Sequence, residues 1–170
     1  MIETARLLLV EAGVEALRAE AAHDYARLAE VLGVATPAAW PPDLYDDDAV
    51  AWSLRELEED PNRAPWNTYY FVLKSTRTLL GAGGFMHGPD KDGCVEIGYS
   101  ILSTHQRNGY ASEAAGAMVH CAFKDPRVTR VIAHTFPDLA GSIGVLTKNG
   151  FVLTGPGAEA GTVRYTRARD

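Results

Sequence analysis

Apolar and polar positions in the first part of the chain alternate with two different periods. Residues 4–10 form the short apolar run of a strand. Residues 14–32 then carry apolar side chains at helical spacing, which predicts one helix. Gly33 is expected to end it, because glycine favours the left-handed conformation that follows many helices. The chain is therefore predicted to begin with a strand and a helix.

A second helical pattern follows a loop in which prolines at positions 37, 41 and 42 fix an extended path. Apolar residues at 50, 54 and 57 form one stripe, and Asp60-Pro61 ends it. The three residues before the stripe are Asp46, Asp47 and Asp48. Aspartate is a preferred N-cap residue, and no second carboxylate or histidine cluster lies at a useful spacing. We interpret these aspartates as capping and solvated, not metal-binding.

Strand patterns begin after residue 66. Residues 68–73 are aromatic and β-branched, residues 75–77 form a turn, and residues 79–86 return as a second strand. A strong turn signal at residues 88–93 then leads into a third strand at residues 95–102. Three consecutive antiparallel strands, combined with helices, predict a mixed α+β domain.

The last third repeats strand and helix signals. Residues 130–136 are expected to form a strand, after which Asp138 is a candidate N-cap for a helix with apolar residues at 139, 143 and 146. Gly150 is positioned as the left-handed residue after that helix. Residues 151–154 and 163–166 predict a final hairpin.

The composition is that of a soluble globular protein, with 46% hydrophobic and 22% charged residues. A length of 170 residues predicts a single domain, residues 1–170, with a substantial core. A net charge of −6 argues against non-specific nucleic-acid binding. No run approaches the roughly 20 apolar residues that cross a bilayer, and the N-terminus lacks a signal-peptide pattern. We therefore expect no membrane partner and a cytoplasmic location.

The two cysteines, Cys94 and Cys121, are too few for a disulfide framework and too far apart for a metal knuckle. We interpret both as small buried apolar residues. The histidines have no metal-ligand spacing, so no metal site is predicted. The sequence leaves a monomer and a homodimer equally open.

Residues 95–113, VEIGYSILSTHQRNGYASE, join an apolar strand to a polar turn and a small-residue helix. The first turn of a helix has free N–H groups at the positive end of the helix dipole, which favour an anion. Gly109 can adopt a positive φ, and Ala111 and Ser112 keep the start of the helix narrow. Arg107 can add a charge-assisted contact. The pattern predicts an anion-binding turn, although ordinary surface connections share it.

The turn residues Gln106-Arg107-Asn108-Gly109-Tyr110-Ala111 resemble a known motif. They are similar to the Q/R-x-x-G-x-G/A loop that binds the acetyl-CoA pyrophosphate in the GNAT family of N-acetyltransferases. Two flanking blocks resemble motifs of its RimJ/RimL-like branch: Glu96-Ile97-Gly98-Tyr99 before the turn, and Ser142 with Lys148-Asn149-Gly150-Phe151 after it. The resemblance covers residues 94–151, with a looser match from Thr4 onward.

This resemblance implies the GNAT fold, a central, mostly antiparallel sheet with two splayed parallel strands and flanking helices. The splayed strands would be residues 95–102 and 130–136, with acetyl-CoA between them as cosubstrate. The implied cofactor contacts are the backbone of Ile101, Leu102 and Ser103 for the pantetheine arm, the turn residues Gln106, Arg107, Asn108, Gly109, Tyr110, Ala111 and Ser112 for the pyrophosphate, and Lys148.

The implied reaction is direct transfer of an acetyl group to a primary amine, either a protein N-terminus or a small amine, in a ternary complex. A base must remove a proton from the ammonium group. Glu96 is the first candidate and His134 the second, and each has an ordinary hydrogen-bonding role in the sheet as its alternative. Ser142 matches a serine that points toward the sulfur in relatives, with helix capping as its alternative.

The sequence departs from the family pattern at two places. Many relatives have an asparagine where this chain has Leu139, and relatives with a tyrosine acid place it where Val145 and Leu146 stand. These departures leave the acid open.

The acceptor would be set by the loops at residues 34–45 and 155–161, in which Trp40 and Tyr45 either line a substrate groove or pack onto the domain. A non-catalytic acyl-CoA-binding sensor or regulatory module is the alternative function.

Overall fold

A sheet of eight strands crosses the centre of the protein, and helices cover both of its faces. The computed structural model describes residues 1–35 and 39–169, so the predicted proline position 37 lies outside the described residues. The strands are β1 (Ile2–Glu3), β2 (Leu7–Glu11), β3 (Thr68–Leu73), β4 (Thr78–Phe85), β5 (Cys94–Ile101), β6 (Arg130–Thr135), β7 (Val152–Pro156) and β8 (Val163–Ala168). The helices are α1 (Val14–Ala21), α2 (Tyr25–Leu32), α3 (Asp47–Glu59), α4 (Tyr110–Ala122) and α5 (Ala140–Lys148).

The strands follow the order β1-β2-β3-β4-β5-β6-β8-β7. Each neighbouring pair is antiparallel except β5 and β6, which are parallel. Both predicted hairpins, β3 with β4 and β7 with β8, form. The mixed α+β class and the mostly antiparallel sheet are confirmed.

Each face of the sheet has its own apolar core, since successive side chains of a strand point to opposite faces. In β3, Tyr69 and Phe71 belong to the core beneath α4 and α5, whereas Tyr70 and Val72 belong to the core beneath α1, α2 and α3. In β5, Val95, Ile97 and Ile101 face α4. Glu96 alternates with them and therefore faces the side of α1 to α3.

The single helix predicted for residues 14–32 is wrong, because two helices fill this segment. His23 has a left-handed φ of 55°, which interrupts the helical backbone. Asp24 then caps α2 by accepting a hydrogen bond from the N–H of Arg27 at 3.0 Å. Both helices contribute to one core, so the apolar spacing continues across the break. Gly33 ends α2 with φ 63°, as predicted.

The strand predicted for residues 4–10 is also wrong at its start. The N–H of Thr4 donates to the carbonyl of Leu7 at 3.0 Å, and this turn separates β1 from β2. A local turn therefore interrupts a run whose composition is that of one strand.

One of the two predicted helix N-caps is confirmed and the other is wrong. Asp46 caps α3, since its carboxylate accepts from the N–H of Ala49 at 3.0 Å. Asp138 does not cap α5, because that helix begins one residue later than predicted, after Leu139, and has no side-chain cap. Gly150 has the predicted left-handed conformation, with φ 78°.

The two cysteines differ in burial. Cys94 is buried, as predicted, whereas Cys121 is partly exposed, so its predicted burial is wrong. On α4 the core side is occupied by Met118, Val119 and Ala122, which leaves Cys121 at the edge of the packed surface.

No helix within residues 1–35 and 39–169 is long and apolar enough to cross a membrane. In the same part of the chain, no three His, Cys, Asp or Glu side chains gather as they would around a metal ion.

β5 and β6 pair over only part of their length. Their register joins Cys94 to Arg130, Val95 to Val131 and Glu96 to Ile132, and it ends there. Within the described chain, residues 97–101 then pair with β4 alone and residues 133–135 with β8 alone. A gap therefore opens between the carboxyl-terminal halves of these parallel strands, as the resemblance implied.

Candidate active site

The backbone of β5 offers free groups to the gap at alternate residues. The carbonyl of Glu96 accepts from the N–H of Met86 at 3.0 Å, and the N–H of Leu102 donates to the carbonyl of Leu80 at 2.9 Å. Since backbone groups alternate along a strand, residues 96, 98, 100 and 102 bond to β4. The N–H of Ile97 belongs to the last rung of the β5–β6 pairing, so the backbone groups that face the gap are those of residues 99 and 101. An extended pantetheine arm can pair with these groups as another strand would.

This alternation separates the three predicted pantetheine contacts. The backbone of Ile101 faces the gap, whereas that of Leu102 bonds elsewhere, because its carbonyl also accepts from the N–H of His105 at 2.8 Å. Ser103 is exposed at the end of the gap. The carbonyls of Ile101 and Ser103 also accept hydrogen bonds, from the side chain and the N–H of Gln106. The contacts of all three residues with the cofactor stay predictions.

The turn before α4 has the backbone shape that the sequence predicts. Gly109, the N-cap of α4, has φ 80° and provides no capping side chain. The first intrahelical bond runs from the N–H of Glu113 to the carbonyl of Gly109 at 3.0 Å. The N–H groups of Tyr110, Ala111 and Ser112 precede that bond and point out of the helix end. This arrangement suits an anion at the positive pole of the helix.

Side chains of the turn stabilise its own backbone. The amide of Gln106 donates to the carbonyl of Ile101 at 3.0 Å, and that of Asn108 donates to the carbonyls of His105 at 3.1 Å and Gln106 at 3.0 Å. Arg107 has a left-handed φ of 61°. Its guanidinium is exposed and pairs with no other residue that the structure describes, so it is available to a phosphate.

Arg6, the residue before β2, connects the turn to α4. Its Nε donates to Oε2 of Glu113 at 2.7 Å, and its Nη1 donates to the carbonyl of Asn108 at 2.9 Å. The guanidinium also lies over the ring of Tyr110, 4.6 Å from its centre. Thr4 completes the cluster by donating to Oε1 of Glu113 at 2.6 Å. Arg6 thus bonds to the turn and to the first turn of α4 that follows it.

Glu113 is held in its charged form by these contacts. Burial by itself raises the pKa of Glu113, but the hydrogen bonds from Thr4 and Arg6 and the charge of Arg6 outweigh burial and lower this pKa below its ordinary value of 4.5. An uncompensated carboxylate would repel an anion at the turn, and the pairing with Arg6 removes that obstacle to the predicted binding of a pyrophosphate.

Glu113→Gln is expected to lower the free energy of unfolding by about 2 kcal/mol at pH 7, because charge-assisted bonds are lost. A lowered pKa in the folded state stabilises the protein fully above the unfolded-state value, and this stability is lost as the pH falls through the folded-state value. The difference between wild type and variant should therefore shrink below about pH 4.5. Urea unfolding between pH 7 and pH 3.5 measures it.

Exposed Glu159 serves as the control, since its side chain bonds to nothing else in the described chain. Glu159→Gln should change stability by less than about 0.5 kcal/mol at every pH. A Glu113→Gln difference that is independent of pH would contradict this account of the pairing.

The two candidate bases, Glu96 and His134, lie together where the gap begins. Nδ1 of His134 is 2.9 Å from Oε1 of Glu96. A carboxylate only accepts hydrogen bonds, so this contact assigns the ring proton to Nδ1. Both side chains stay accessible, at 28% for Glu96 and 17% for His134. The two residues that the sequence analysis named as separate candidate bases thus form one carboxylate–imidazole pair.

Tyr99 crosses the gap from β5 to the first turn of α5, a contact that the sequence did not predict. Its hydroxyl donates to the carbonyl of Ser142 at 3.4 Å. Burial raises the pKa of Tyr99 to about 12, so the phenol keeps its proton at neutral pH. Ser142 itself is partly buried on α5. Tyr99 therefore contacts Ser142, the residue that the resemblance implied as a donor to the sulfur.

Asn149 connects α5 to α4 beside the turn. Its amide donates to the carbonyls of Ser112 at 3.1 Å and Val145 at 2.9 Å. A side chain at Gly116 would lie 2.6 Å from the Asn149 Oδ1, so the two helices approach closely. Lys148, the remaining predicted cofactor contact, is exposed in the last turn of α5. Its contact with the cofactor stays a prediction.

Trp40 and Tyr45, the predicted substrate-binding residues, both contact Glu20. Trp40 is only 8% exposed and donates from Nε1 to Glu20 at 2.6 Å, so its indole packs onto the domain. Tyr45 is partly buried and donates from its hydroxyl to Glu20 at 3.1 Å. Of the two alternatives, Trp40 therefore packs onto the domain. Contact of Tyr45 with an acceptor stays a prediction.

The site residues that the sequence analysis missed all have partners that are far away along the chain. Arg6 is 107 residues from Glu113, and Tyr99 is 43 residues from Ser142. Local periodicity carries no signal for such contacts.

Comparison with known proteins agrees with this geometry. The profile of the family described as "Acetyltransferase (GNAT) domain" matches residues 16–152. An uncharacterised N-acetyltransferase of Bacillus subtilis, YjdG, is 31% identical over 160 residues, which cover 94% of each chain. The chain therefore belongs to the GNAT acetyltransferase family, and the predicted family is confirmed.

Solved structures show the same fold. The ribosomal-protein-S5-alanine acetyltransferase of Vibrio fischeri has a TM-score of 0.71 at 19% identity, covering 99% of this chain and 96% of that one. RimL, a ribosomal L7/L12 α-N-protein acetyltransferase solved in complex with coenzyme A, has a TM-score of 0.70 at 18% identity, covering 98% and 96%.

Proposed function

We propose that this protein transfers the acetyl group of acetyl-CoA directly to a primary amine in a ternary complex. The carrying observation is the Glu96–His134 pair, which lies where β5 and β6 separate, with the anion-binding turn beyond the other end of the gap. The solved relative that holds coenzyme A supports the choice of cofactor. The turn from Gln106 to Ser112 would hold the pyrophosphate, and Ile101 and Ser103 would pair with the pantetheine arm.

Glu96 is assigned as the base and His134 as a positioning residue. The more exposed carboxylate takes one proton from the ammonium, directly or through water, and the neutral nitrogen attacks the thioester carbon. The backbone N–H of residue 99 faces the gap and can stabilise the oxyanion. The imidazole donates to the other side of the carboxylate and fixes its orientation.

Collapse of the tetrahedral intermediate breaks the carbon–sulfur bond. The nitrogen loses its second proton as the thiolate gains one, so the products are the amide, the free thiol and one proton released to solvent. Ser142 and Tyr99, which contact each other across the gap, are the candidate proton donors to the thiolate. Both hydroxyls carry a proton at neutral pH, and Tyr99 is favoured as donor because a phenol is a stronger acid than a serine hydroxyl even with its pKa raised to about 12.

The acceptor class is a primary amine, either a protein N-terminus or a small amine. The names of relatives support this class, since two solved neighbours are acetyltransferases of ribosomal proteins. The net charge of −6 is compatible with a cationic acceptor.

A thiol-release assay with a panel of amines tests the proposal, with calorimetry of CoA binding in parallel. Turnover on at least one amine, above hydrolysis without amine, is the expected result. CoA binding without turnover on any amine would support a non-catalytic acyl-CoA-binding module instead. Tyr99→Phe separates the two hydroxyl donors, since it should lower kcat by about tenfold without raising the KM for acetyl-CoA.

A further inference from the structure

A buried carboxylate, that of Glu20 in α1, takes no part in the proposed reaction. It is 3% exposed and accepts three hydrogen bonds, from Trp40 at 2.6 Å, Tyr70 at 2.5 Å and Tyr45 at 3.1 Å. Burial raises its pKa, and the three donors oppose that rise. A carboxylate with three protein donors has little capacity left for a ligand. Its role is to hold the segments that carry those donors.

Two of these donors begin and end one segment, residues 40–45, which we call the acceptor loop. Trp40 bonds to Oε1 of Glu20 and Tyr45 to Oε2, and their rings also contact each other edge to face, with centres 6.1 Å apart. Tyr70, the third donor, lies in β3. Glu20 thus attaches both ends of the acceptor loop to α1 and to the sheet.

The middle of the acceptor loop reaches β5. The hydroxyl of Ser100 donates to the carbonyl of Asp43 at 2.5 Å. Ser100 belongs to the splayed half of β5 and lies on the same face as Glu96, four residues away. The acceptor loop therefore crosses the face of the gap from which Glu96 and His134 are reached.

Leu44, at the tip of this loop, has an unusual conformation. It has a left-handed φ of 61° and is 79% exposed. A leucine rarely adopts this conformation, and it persists only where the surroundings fix it. Here the fixed points are the neighbouring bonds to Ser100 and Glu20. The loop therefore presents an apolar side chain to solvent beside the site.

Two further exposed apolar side chains lie on this face. Met86, 41% exposed, follows β4, bonds through its N–H to Glu96 and extends its Cε to 3.3 Å from where a Gly98 side chain would begin. Phe136, also 41% exposed, directly follows β6 and lies two residues beyond His134. Single exposed apolar residues are ordinary, and these three attract notice because each adjoins an element that carries or borders the charged pair: β4, β6 and the acceptor loop.

We propose that the acceptor loop, fixed by Glu20, forms one side of the acceptor site, and that the acceptor has an apolar substituent next to its primary amine. The negative charge of Glu96 attracts the ammonium group, and Leu44, Met86 and Phe136 surround the adjoining substituent. This inference rests on the proposed function.

Four amino-acid amides of equal charge test the acceptor class: glycinamide, serinamide, leucinamide and phenylalaninamide. Wild type should have a kcat/KM at least about tenfold higher for leucinamide and phenylalaninamide than for glycinamide, the gain expected from burying a few methylene groups. Leu44→Ser should reduce that preference by about fivefold with an unchanged KM for acetyl-CoA. Val152→Ser, at a 62% exposed position on β7, is the matched control and should leave the preference unchanged.

Tyr45→Phe tests the attachment to Glu20 with less risk to folding than a change of the carboxylate. It should raise the KM for leucinamide about threefold to fivefold, as expected for one lost hydrogen bond, without changing the Kd for CoA. A parallel rise in both constants would overturn the role of the acceptor loop.

The outcomes separate this inference from the proposed function. Turnover with equal kcat/KM for glycinamide and leucinamide would overturn the inference alone. If no amine is turned over although CoA still binds, the proposed function and the inference are overturned together.

Discussion

Glu96→Gln is expected to lower kcat by about 10²-fold to 10³-fold, the range typical of a lost general base. Glutamine has nearly the same shape and still accepts the hydrogen bond from His134, so Tm and the KM for acetyl-CoA should change little. Steady-state kinetics with the best amine of the panel measures the effect. Exposed Glu59→Gln, at a side chain with no partner in the described chain, should have kcat within twofold of wild type.

The pH profile distinguishes a base from a purely structural role of Glu96. Without a base the reaction depends on amine that has already lost its proton, so the rate of Glu96→Gln should rise with pH until the amine is neutral. His134→Gln should lower kcat only about tenfold, since it removes an orienting contact. The reverse order of the two effects would identify His134 as the base, and an unchanged kcat in both variants would exclude the pair.

Gly109→Val is expected to raise the KM for acetyl-CoA by roughly 5-fold to 150-fold. The φ of 80° at Gly109 strains a β-branched residue by about 1–3 kcal/mol, and a Cβ there would lie 3.4 Å from the guanidinium of Arg6. The turn is expected to leave its conformation, so that the helix N–H groups no longer converge on the pyrophosphate. The kcat at saturating acetyl-CoA should stay within about threefold of wild type, because Glu96 and His134 are untouched.

Acetyl-pantetheine, a donor without the pyrophosphate, provides an internal control for this variant. Its kcat/KM should be the same in wild type and Gly109→Val, whereas general damage to the fold would lower it. Gly13→Val is the matched substitution, because Gly13 has an extended backbone with φ −88° and nothing within 4 Å of an added Cβ. Equal loss with both donors would contradict the assignment of the turn to the pyrophosphate.

The two variants divide the proposed site into independent parts. Glu96 and His134 act at the beginning of the gap, and Gly109 acts at the start of α4. Since the two places share no contact, effects on kcat and KM in the double variant should multiply.

What the sequence determined by itself is local. The turn from Gln106 to Ser112 was predicted because glycine conformation, helix dipole and small residues act within a few positions of one another, and Gly109 has the expected positive φ. Most strands and helices followed from periodicity for the same reason. The break at His23 was missed because apolar spacing continues through it, although Asp24 offered a capping signal.

Tertiary structure decided how distant residues combine. Glu96 and His134 are 38 residues apart, and they became one pair because β5 and β6 are parallel neighbours in which Glu96 pairs with Ile132, two residues before His134. Arg6 met Glu113 across 107 residues, and Glu20 met Tyr70 across 50. Such contacts depend on strand order and on which face each side chain occupies, and these are fixed only when the whole sheet assembles and both cores close.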